Sequence, residues 1–176
     1  YRGRDDSAQA HVLRRIDDFC ERWMQNRTDP SVTMEAAFSW LRENIGCIGP
    51  ELSLVHGDCN FRNILLDGDR VSAILDWELA HPGCAAEDLS YIKTDVEKVM
   101  SWQEFFAAYL SHGGIPVRDA AIRYFEVWAD VWRTALAAMC HAGYLNGEHH
   151  SYLYGSIGHN EFYNSLDPLC ANLAAL

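Results

Sequence analysis

The polar residues best suited to chemistry lie in the middle of the chain, at the ends of short apolar segments. Asp58 and Asn63 follow the apolar segment that ends at Val55, while Asp76 and Glu78 follow the next apolar segments. Carboxylate and amide oxygens are the ligands that Mg²⁺ prefers, and burying several carboxylates without a partner is costly. The sequence therefore predicts a group of oxygen ligands suited to a divalent cation.

The spacing of His56, Asp58 and Asn63 is that of a phosphoryl-transfer catalytic loop. In such a loop the aspartate accepts the proton of the substrate hydroxyl and the asparagine holds Mg²⁺. Asp76 occupies the position of the second metal-binding aspartate, although Trp-Glu replaces the usual Phe-Gly after it. Because phosphoryl transfer mainly requires positioning and charge neutralisation, the pattern predicts a base and a metal site on one short structural unit.

The elements that position these residues are predicted from hydrophobic spacing. Short apolar runs predict buried strands between Leu52 and Asp76, with a tight turn at residues 67–70. Amphipathic patterns predict helices on both sides. Their expected ranges are residues 7–27, from Ser31 or Thr33 to about 45, then 85–93, 101–112, 118–143 and 160–176. The predicted fold class is α+β, mostly α-helical, with a small β-hairpin region that carries the polar groups.

Composition restricts the classes of function. A chain of 176 residues with 49% hydrophobic residues forms one domain or one large lobe of a bigger enzyme. The net charge of −11 argues against a nucleic-acid partner, and no apolar run is long enough to span a membrane. Six scattered cysteines without a C-x-x-C pair favour reduced thiols and predict a cytoplasmic location.

Three motifs, in order, resemble the aminoglycoside phosphotransferase and choline kinase family, a branch of the protein-kinase-like fold. They are His56-Gly57-Asp58 with Asn63, the run from Ile74 to Glu78, and Pro82-Gly83 followed by Glu87-Asp88-Leu89. The likeness is greatest to phosphotransferases related to the kinase-like domain of certain acyl-CoA dehydrogenases. It covers most of the chain and implies the C-terminal lobe of a kinase-like fold.

The resemblance assigns roles in the loop. Asp58 is implied as the catalytic base, and His56 as a residue that braces the loop rather than a base itself. Asp88 is implied to anchor the loop from the following helix, with capping of that helix as the alternative. An ATP-dependent transfer to a hydroxyl of a small molecule is the activity that follows.

The resemblance also implies the cofactors Mg²⁺ and ATP, the latter as phosphoryl donor. Asn63 and Asp76 are the implied Mg²⁺ ligands, and through the metal they would hold the nucleotide. Glu78 is a weaker candidate for a further ligand. A less favoured hypothesis is a metal-dependent hydrolase that uses Asp58, Asp76 and Glu78.

One part of the family pattern is missing. Family members carry an N-terminal lobe with a lysine that grips the ATP phosphates, but here the only lysines, Lys93 and Lys98, follow the motifs. Residues 1–176 are therefore predicted to be the C-terminal lobe, without the nucleotide-clamping lobe. A non-catalytic binding or regulatory module is the alternative function. Exposure of the apolar inter-lobe face predicts a homodimer or poor solubility.

Overall fold

The computed structural model describes residues 6–28 and 30–175, and these ranges are mostly helical. They contain the helices α1 (Ala8–Asn26), α2 (Val32–Glu43), α3 (Ala86–Val96), α4 (Trp102–Ser111), α5 (Asp119–Leu145) and α6 (Tyr152–Ala174). They also contain the strands β1 (Ser53–Val55), β2 (Ile64–Asp67), β3 (Arg70–Ile74) and β4 (His81–Gly83). The predicted mostly helical α+β class is confirmed.

Helix starts follow the capping residues. Ser31, not Thr33, caps α2, because its hydroxyl accepts from the backbone N–H of Met34 at 3.4 Å. Ser101 and Glu104 form a capping box at the start of α4. The last helix begins after Ser151, well before the predicted residue 160. The glycines and polar residues of its first turns interrupt the hydrophobic pattern, so the start was predicted too late in the chain. Leu176, at the predicted end of this helix, lies outside the described residues.

The strands differ from the prediction in pairing and in burial. β1 pairs antiparallel with β4, and β2 pairs antiparallel with β3, so the described residues contain two separate two-stranded sheets. β4 was not predicted from the sequence, because its Pro82 and Gly83 are typical of turns. The prediction of buried strands is wrong for the β2–β3 hairpin: the exposed fractions are 46% for Leu65 and 65% for Leu66. The side chains of a strand are buried only where a helix or a second sheet packs on the face of its sheet, and an apolar run does not show whether such a layer is present.

The chain divides into two compact units. Unit 1 comprises the described residues of 1–12 and 46–125, and unit 2 those of 13–45 and 126–175. All predicted catalytic and metal-binding residues belong to unit 1. No helix in the described ranges is both long and apolar enough to cross a membrane.

Each unit has its own buried side chains. The core of unit 1 is formed around β1, α3 and the first turns of α5, and its buried side chains include Ile48, Val55, Leu89, Ile92, Val96, Ile122, Tyr124 and Phe125. In unit 2 the buried side chains come from α1, α2, α5 and α6, and include Ile16, Trp23, Met34, Phe38, Leu41, Trp128, Val131 and Leu169. The buried Val55 and the buried face of α3 therefore give the loop between β1 and β2 a rigid base.

Candidate active site

The predicted catalytic loop joins β1 to β2 and ends in a 3₁₀ turn, Phe61–Asn63. Asn60 caps this turn, because its side-chain oxygen accepts from the backbone N–H of Arg62 at 3.0 Å. Only 6% of Asn60 is exposed. The capped turn fixes the direction in which the chain leaves the loop, and so places Asn63 at the start of β2.

Two side-chain amides hold the carboxylate of Asp58. Asn60 Nδ2 donates to Asp58 Oδ1 at 3.0 Å, and Asn63 Nδ2 donates to Asp58 Oδ2 at 2.9 Å. Each amide nitrogen also donates to the backbone carbonyl of Asp58, at 3.0 and 2.9 Å. A carboxylate oxygen accepts more than one hydrogen bond, so both oxygens keep capacity for a substrate hydroxyl. The carboxylate of Asp58 is therefore fixed in orientation before any substrate binds.

His56 links the loop to the segment that precedes Asp76. Its Nε2 lies 2.8 Å from the carbonyl oxygen of Leu75, and its Nδ1 lies 3.2 Å from the backbone nitrogen of Asp58. These contacts fit the tautomer in which Nε2 carries the proton and Nδ1 accepts. The ring is 3% exposed and packs on Trp77 with centroids 4.7 Å apart. Because both ring nitrogens are engaged with the backbone, this geometry suits a bracing role rather than a general base.

Asp88, in the first turn of α3, binds the start of the loop. Its carboxylate accepts from the backbone N–H of His56 at 2.7 Å and from that of Gly57 at 3.0 Å, and it does not cap its own helix. Burial raises the pKa of Asp88, although these two hydrogen bonds oppose the shift. Gly57 has φ +85°, and a Cβ there would lie 2.8 Å from the carbonyl oxygen of Leu79. The start of the loop therefore requires both the carboxylate and the glycine.

A second carboxylate of α3, Asp95, holds the far end of the loop. Its Oδ2 accepts from the backbone N–H of Phe61 at 3.0 Å, and its Oδ1 accepts from Lys98 Nζ at 2.7 Å. The hydrogen bond from Lys98 and that from Phe61 lower the pKa of Asp95. Asp95 was not predicted from the sequence, although it lies two helical turns after Asp88, on the same face of α3. One helix thus binds both ends of the catalytic loop.

Asp76 adopts a left-handed backbone conformation, with φ 68° and ψ 52°. It is the only non-glycine residue with positive φ in the described ranges, and it is exposed. The backbone N–H of Leu75 donates to the carbonyl of Asn63 at 2.8 Å, which continues the β2–β3 pairing beyond Ile64 and Ile74. Asp76 therefore follows the residue that pairs with Asn63. Backbone strain of this kind persists only where the surrounding structure maintains it, and it clusters at functional sites.

The sequence also matches a known protein family. The model of the phosphotransferase enzyme family matches residues 3–128. The chain belongs to this family. The resemblance predicted from the motifs is thereby confirmed at the family level, while the likeness to the acyl-CoA-dehydrogenase-related subgroup stays a prediction. A search of curated proteins found no match.

The fold is also that of a solved structure. The chain resembles the crystal structure of a "putative aminoglycoside phosphotransferase" from Ralstonia eutropha JMP134, with a TM-score of 0.71 and 15% sequence identity. The match covers 92% of this chain and 55% of that one. At this identity the likeness shows the kinase-like fold alone, and the chain spans little more than half the length of the protein that it matches.

The side chains at the site have the oxygen atoms that Mg²⁺ prefers as ligands. The described residues contain no group of three His, Cys, Asp or Glu side chains placed to hold a metal, so the geometry adds no support to the hydrolase hypothesis. A kinase-type Mg²⁺ needs fewer protein ligands, since it keeps waters and binds substrate phosphates. The side-chain N–H of Asn63 donates a hydrogen bond to Asp58, so the side-chain oxygen of Asn63 is left for a cation. Asp76 and Glu78 are exposed. These residues suit the ion, and their metal-binding roles stay predictions.

Cys59 lies inside the loop, next to the predicted base. Burial, followed by the nearby charges of Asp88 and Asp58, raises the pKa of its thiol to about 12. The thiol therefore stays protonated near neutral pH, and the thiolate is the nucleophilic form of cysteine. Cys59 is therefore not a candidate nucleophile.

Proposed function

We propose that this chain is the acceptor-binding and catalytic lobe of an ATP- and Mg²⁺-dependent phosphotransferase that acts on a hydroxyl of a small molecule. The observation that carries the proposal is the fixed carboxylate of Asp58, held between the amides of Asn60 and Asn63. Membership in the phosphotransferase family supports the reaction class. The hydroxyl acceptor and the donor ATP rest on the loop's likeness to phosphoryl-transfer sites.

Asp58 would act as proton acceptor. The acceptor hydroxyl donates to a carboxylate oxygen of Asp58, and its proton passes to that oxygen as the hydroxyl oxygen bonds to the γ-phosphorus of ATP. The bond between this phosphorus and the β–γ bridging oxygen breaks, and ADP leaves. The amides of Asn60 and Asn63 keep the carboxylate aimed throughout. Mg²⁺, held by Asn63 and Asp76, would neutralise charge on the phosphates.

The proposal can be tested on the longest product of the gene that encodes this chain. Transfer of the γ-phosphate to a panel of small alcohols, amino alcohols and aminoglycosides would be followed by ³¹P NMR with Mg²⁺-ATP. Asp58→Ala should lower turnover about 10²–10⁴-fold, because the base is lost. Asp69→Ala, at the exposed tip of the β2–β3 turn, is the control and should leave turnover unchanged. Equal turnover in the Asp58 variant and the parent would overturn the proposal.

A non-catalytic binding or regulatory module is the second candidate function. One observation favours it: both lysines lie on or next to α3 and face carboxylates there, Lys93 with Glu97 at 3.7 Å and Lys98 with Asp95 at 2.7 Å. In the described part of the chain, neither is placed as a dedicated phosphate ligand. Calorimetry of Mg²⁺-ATP binding to the same gene product separates the two candidates. A module without catalysis should give no heat of binding and no turnover of ATP with any acceptor.

We also propose that the apolar inter-lobe face is covered by a second copy of this chain, and that this face includes the exposed apolar side chains of the β2–β3 hairpin. The surface includes Leu66 at 65% exposure and Val71 at 61%, which is unusual for neighbouring apolar side chains in a monomer. Sedimentation velocity over a range of concentrations should show a dimer, and Leu66→Lys with Val71→Lys should abolish it. A monomer at every concentration contradicts this proposal.

A further inference from the structure

One buried carboxylate in the first turn of α3 has no role in the proposed transfer. Glu87 and Asp88 are consecutive there, and Asp88 binds the start of the catalytic loop. Neighbouring residues of an α-helix lie about 100° apart around its axis, so the two carboxylates reach different targets. Glu87 is only 7% exposed, and a carboxylate is rarely buried unless it is paired. The contacts of Glu87 therefore indicate what it does.

His81, in β4, contacts Glu87. Its Nε2 lies 3.2 Å from Oε2 of Glu87, and both side chains are largely buried. The register of the β1–β4 sheet places His81 opposite the buried Val55. The ring lies over Gly83, where a Cβ would be 3.4 Å from Nε2. The sheet on one side and α3 on the other thus fix the direction of the ring.

The other ring nitrogen of His81 holds the segment that precedes it. Nδ1 lies 2.8 Å from the carbonyl oxygen of Leu79. A carbonyl oxygen only accepts, so Nδ1 carries a proton and donates the hydrogen bond. Leu79 ends the 3₁₀ turn Trp77–Leu79, which the backbone N–H of Ala80 closes by donating to the carbonyl of Trp77 at 3.0 Å. His81 therefore binds the C-terminal end of this turn.

The same turn presents the two exposed carboxylates of the proposed metal site. Asp76 immediately precedes the turn, and Glu78 is its middle residue. The carbonyl of Leu79 also lies against the catalytic loop, since a Cβ at Gly57 would be 2.8 Å from its oxygen. Gly57 directly precedes the proposed base, Asp58. The position of the Leu79 carbonyl therefore affects both the metal ligands and the loop.

We propose that His81, held by Glu87, is a positioning residue that keeps the turn Trp77–Leu79 in place for the binding of Mg²⁺ by Asp76 and Glu78. This inference rests on the proposed function, because that function supplies the metal. The first turn of α3 then supports both halves of the site. Asp88 holds the catalytic loop directly, and Glu87 holds the metal-binding turn through the ring of His81.

The experiment measures the turn and the metal site separately, on the longest product of the gene that encodes this chain. Hydrogen exchange at the amide of Ala80, followed by NMR, reports whether the turn stays closed. Calorimetric titration with Mg²⁺ alone reports the metal site. His81→Leu removes both ring contacts, so exchange at Ala80 should become about tenfold faster and Mg²⁺ binding about tenfold weaker. Ile92→Val, in the buried face of α3, is the control for general destabilisation and should change both values less than about threefold.

Two amide side chains separate the two ring contacts. In His81→Asn the amide nitrogen can occupy the position of Nδ1 and donate to Leu79, so both values should return to within about threefold of the parent. In His81→Gln the amide nitrogen reaches the position of Nε2 instead, so this variant should resemble His81→Leu. Glu87→Ala should speed exchange at Ala80 about threefold in the parent but not in the His81→Leu background, because Glu87 acts through the ring.

Several results would overturn the proposal. If His81→Leu and Ile92→Val affect exchange at Ala80 equally, or if His81→Asn is no closer to the parent than His81→Gln, the ring does not hold the turn. If the parent and His81→Leu bind Mg²⁺ equally, the positioning role is wrong while the proposed metal site stands. If the parent binds no Mg²⁺, the proposed metal site fails together with this inference. His81→Gln keeps a polar side chain of similar length and replaces His81→Leu if that variant does not fold.

Discussion

The two halves of the candidate active site are built in opposite ways. Around Asp58 the polar groups are paired within the protein: two amides hold its carboxylate, His56 uses both ring nitrogens, and Asp88 accepts two backbone N–H groups. Asp76 and Glu78 are exposed, and Asp76 adds a strained backbone. The fold thus preorganises the proposed proton acceptor Asp58. The proposed metal-binding residues Asp76 and Glu78 instead need a metal ion bound from solution as their partner.

The difference has an energetic basis. A buried polar group without a partner costs free energy, so the interior half of the site must satisfy its own hydrogen bonds. An exposed carboxylate is solvated by water and needs no protein partner. Substitutions around Asp58 should therefore lower the free energy of unfolding, whereas substitutions at Asp76 should leave it almost unchanged and act on ligand binding.

The largest expected contrast comes from one chemical change made in both halves. Asp88→Asn replaces an acceptor oxygen with an amide nitrogen that faces a backbone N–H, and should lower the free energy of unfolding by about 1.5–3 kcal/mol. Asp76→Asn changes an exposed side chain, and asparagine also tolerates the left-handed backbone conformation found there. The change in unfolding free energy should therefore stay within about 0.5 kcal/mol. Urea unfolding with unchanged m-values measures both. Similar losses for the two variants would contradict the contrast.

A second prediction concerns the link between the halves. His56→Phe keeps a ring against Trp77 but removes the contacts with Leu75 and Asp58. The expected loss is about 1–2.5 kcal/mol of unfolding free energy, because two hydrogen bonds of buried groups disappear. Faster hydrogen exchange at the backbone amides of Asp58 and Leu75 should accompany this loss.

The matched control for this prediction is His150→Phe, which makes the same change at an exposed residue outside the site. It should leave the unfolding free energy within about 0.5 kcal/mol of the parent. The amide of Leu75 donates to the carbonyl of Asn63, so faster exchange there in His56→Phe alone would report loosening of the segment before Asp76. Equal stability of the two variants would show that His56 does not connect the halves.

The sequence identified the interior half only in part. The spacing of Asp58 and Asn63 predicted the loop, but no spacing rule predicted that Asn60 turns back to hold the carboxylate two positions before it. That contact depends on side-chain orientation within an irregular loop. Asp95 did leave a signal, since it shares a face of α3 with Asp88. Its role depends on where the loop lies, which the helix pattern alone does not give.

The fold shows the same limit. Helices were predicted well where the hydrophobic stripe was regular, as in α1 and α5, because their period directly reflects one buried face. The β2–β3 hairpin was predicted as buried, yet Leu66 and Val71 are exposed. An apolar run shows that a segment can be buried but not what covers it. Strand pairing is likewise decided by distant residues, so β4 and its pairing with β1 were missed.

A smaller effect is expected from relieving the strain at Asp76. Asp76→Gly suits the positive φ without a Cβ, but it also makes the unfolded chain more flexible. The net gain should be about 0.5 kcal/mol in unfolding free energy, whereas affinity for Mg²⁺ should fall because a carboxylate is lost. Urea unfolding and calorimetric titration with Mg²⁺ measure the two changes. Gly68→Ala, also at positive φ, is the control and should destabilise without changing Mg²⁺ affinity.

The smallest expected effect lies within the interior half, where two carboxylates on α3 should respond to pH with opposite signs. Burial raises the pKa of Asp88 in the folded protein above its ordinary value of 3.8. The contribution of Asp88 to stability is therefore fully present below pH 3.8 and is lost as the pH rises through the raised pKa. Lys98 lowers the pKa of Asp95, so its contribution is present above 3.8 and is lost as pH falls through the lowered value. The destabilisation caused by Asp88→Asn should therefore shrink with rising pH, and that caused by Asp95→Asn should grow, by a small amount because Asp95 is solvated. Urea unfolding of both variants and the parent from about pH 3 to 6 measures these two pH dependences. If the destabilisation changes with pH in the same direction for both variants, the two carboxylates do not lie in electrostatically different surroundings.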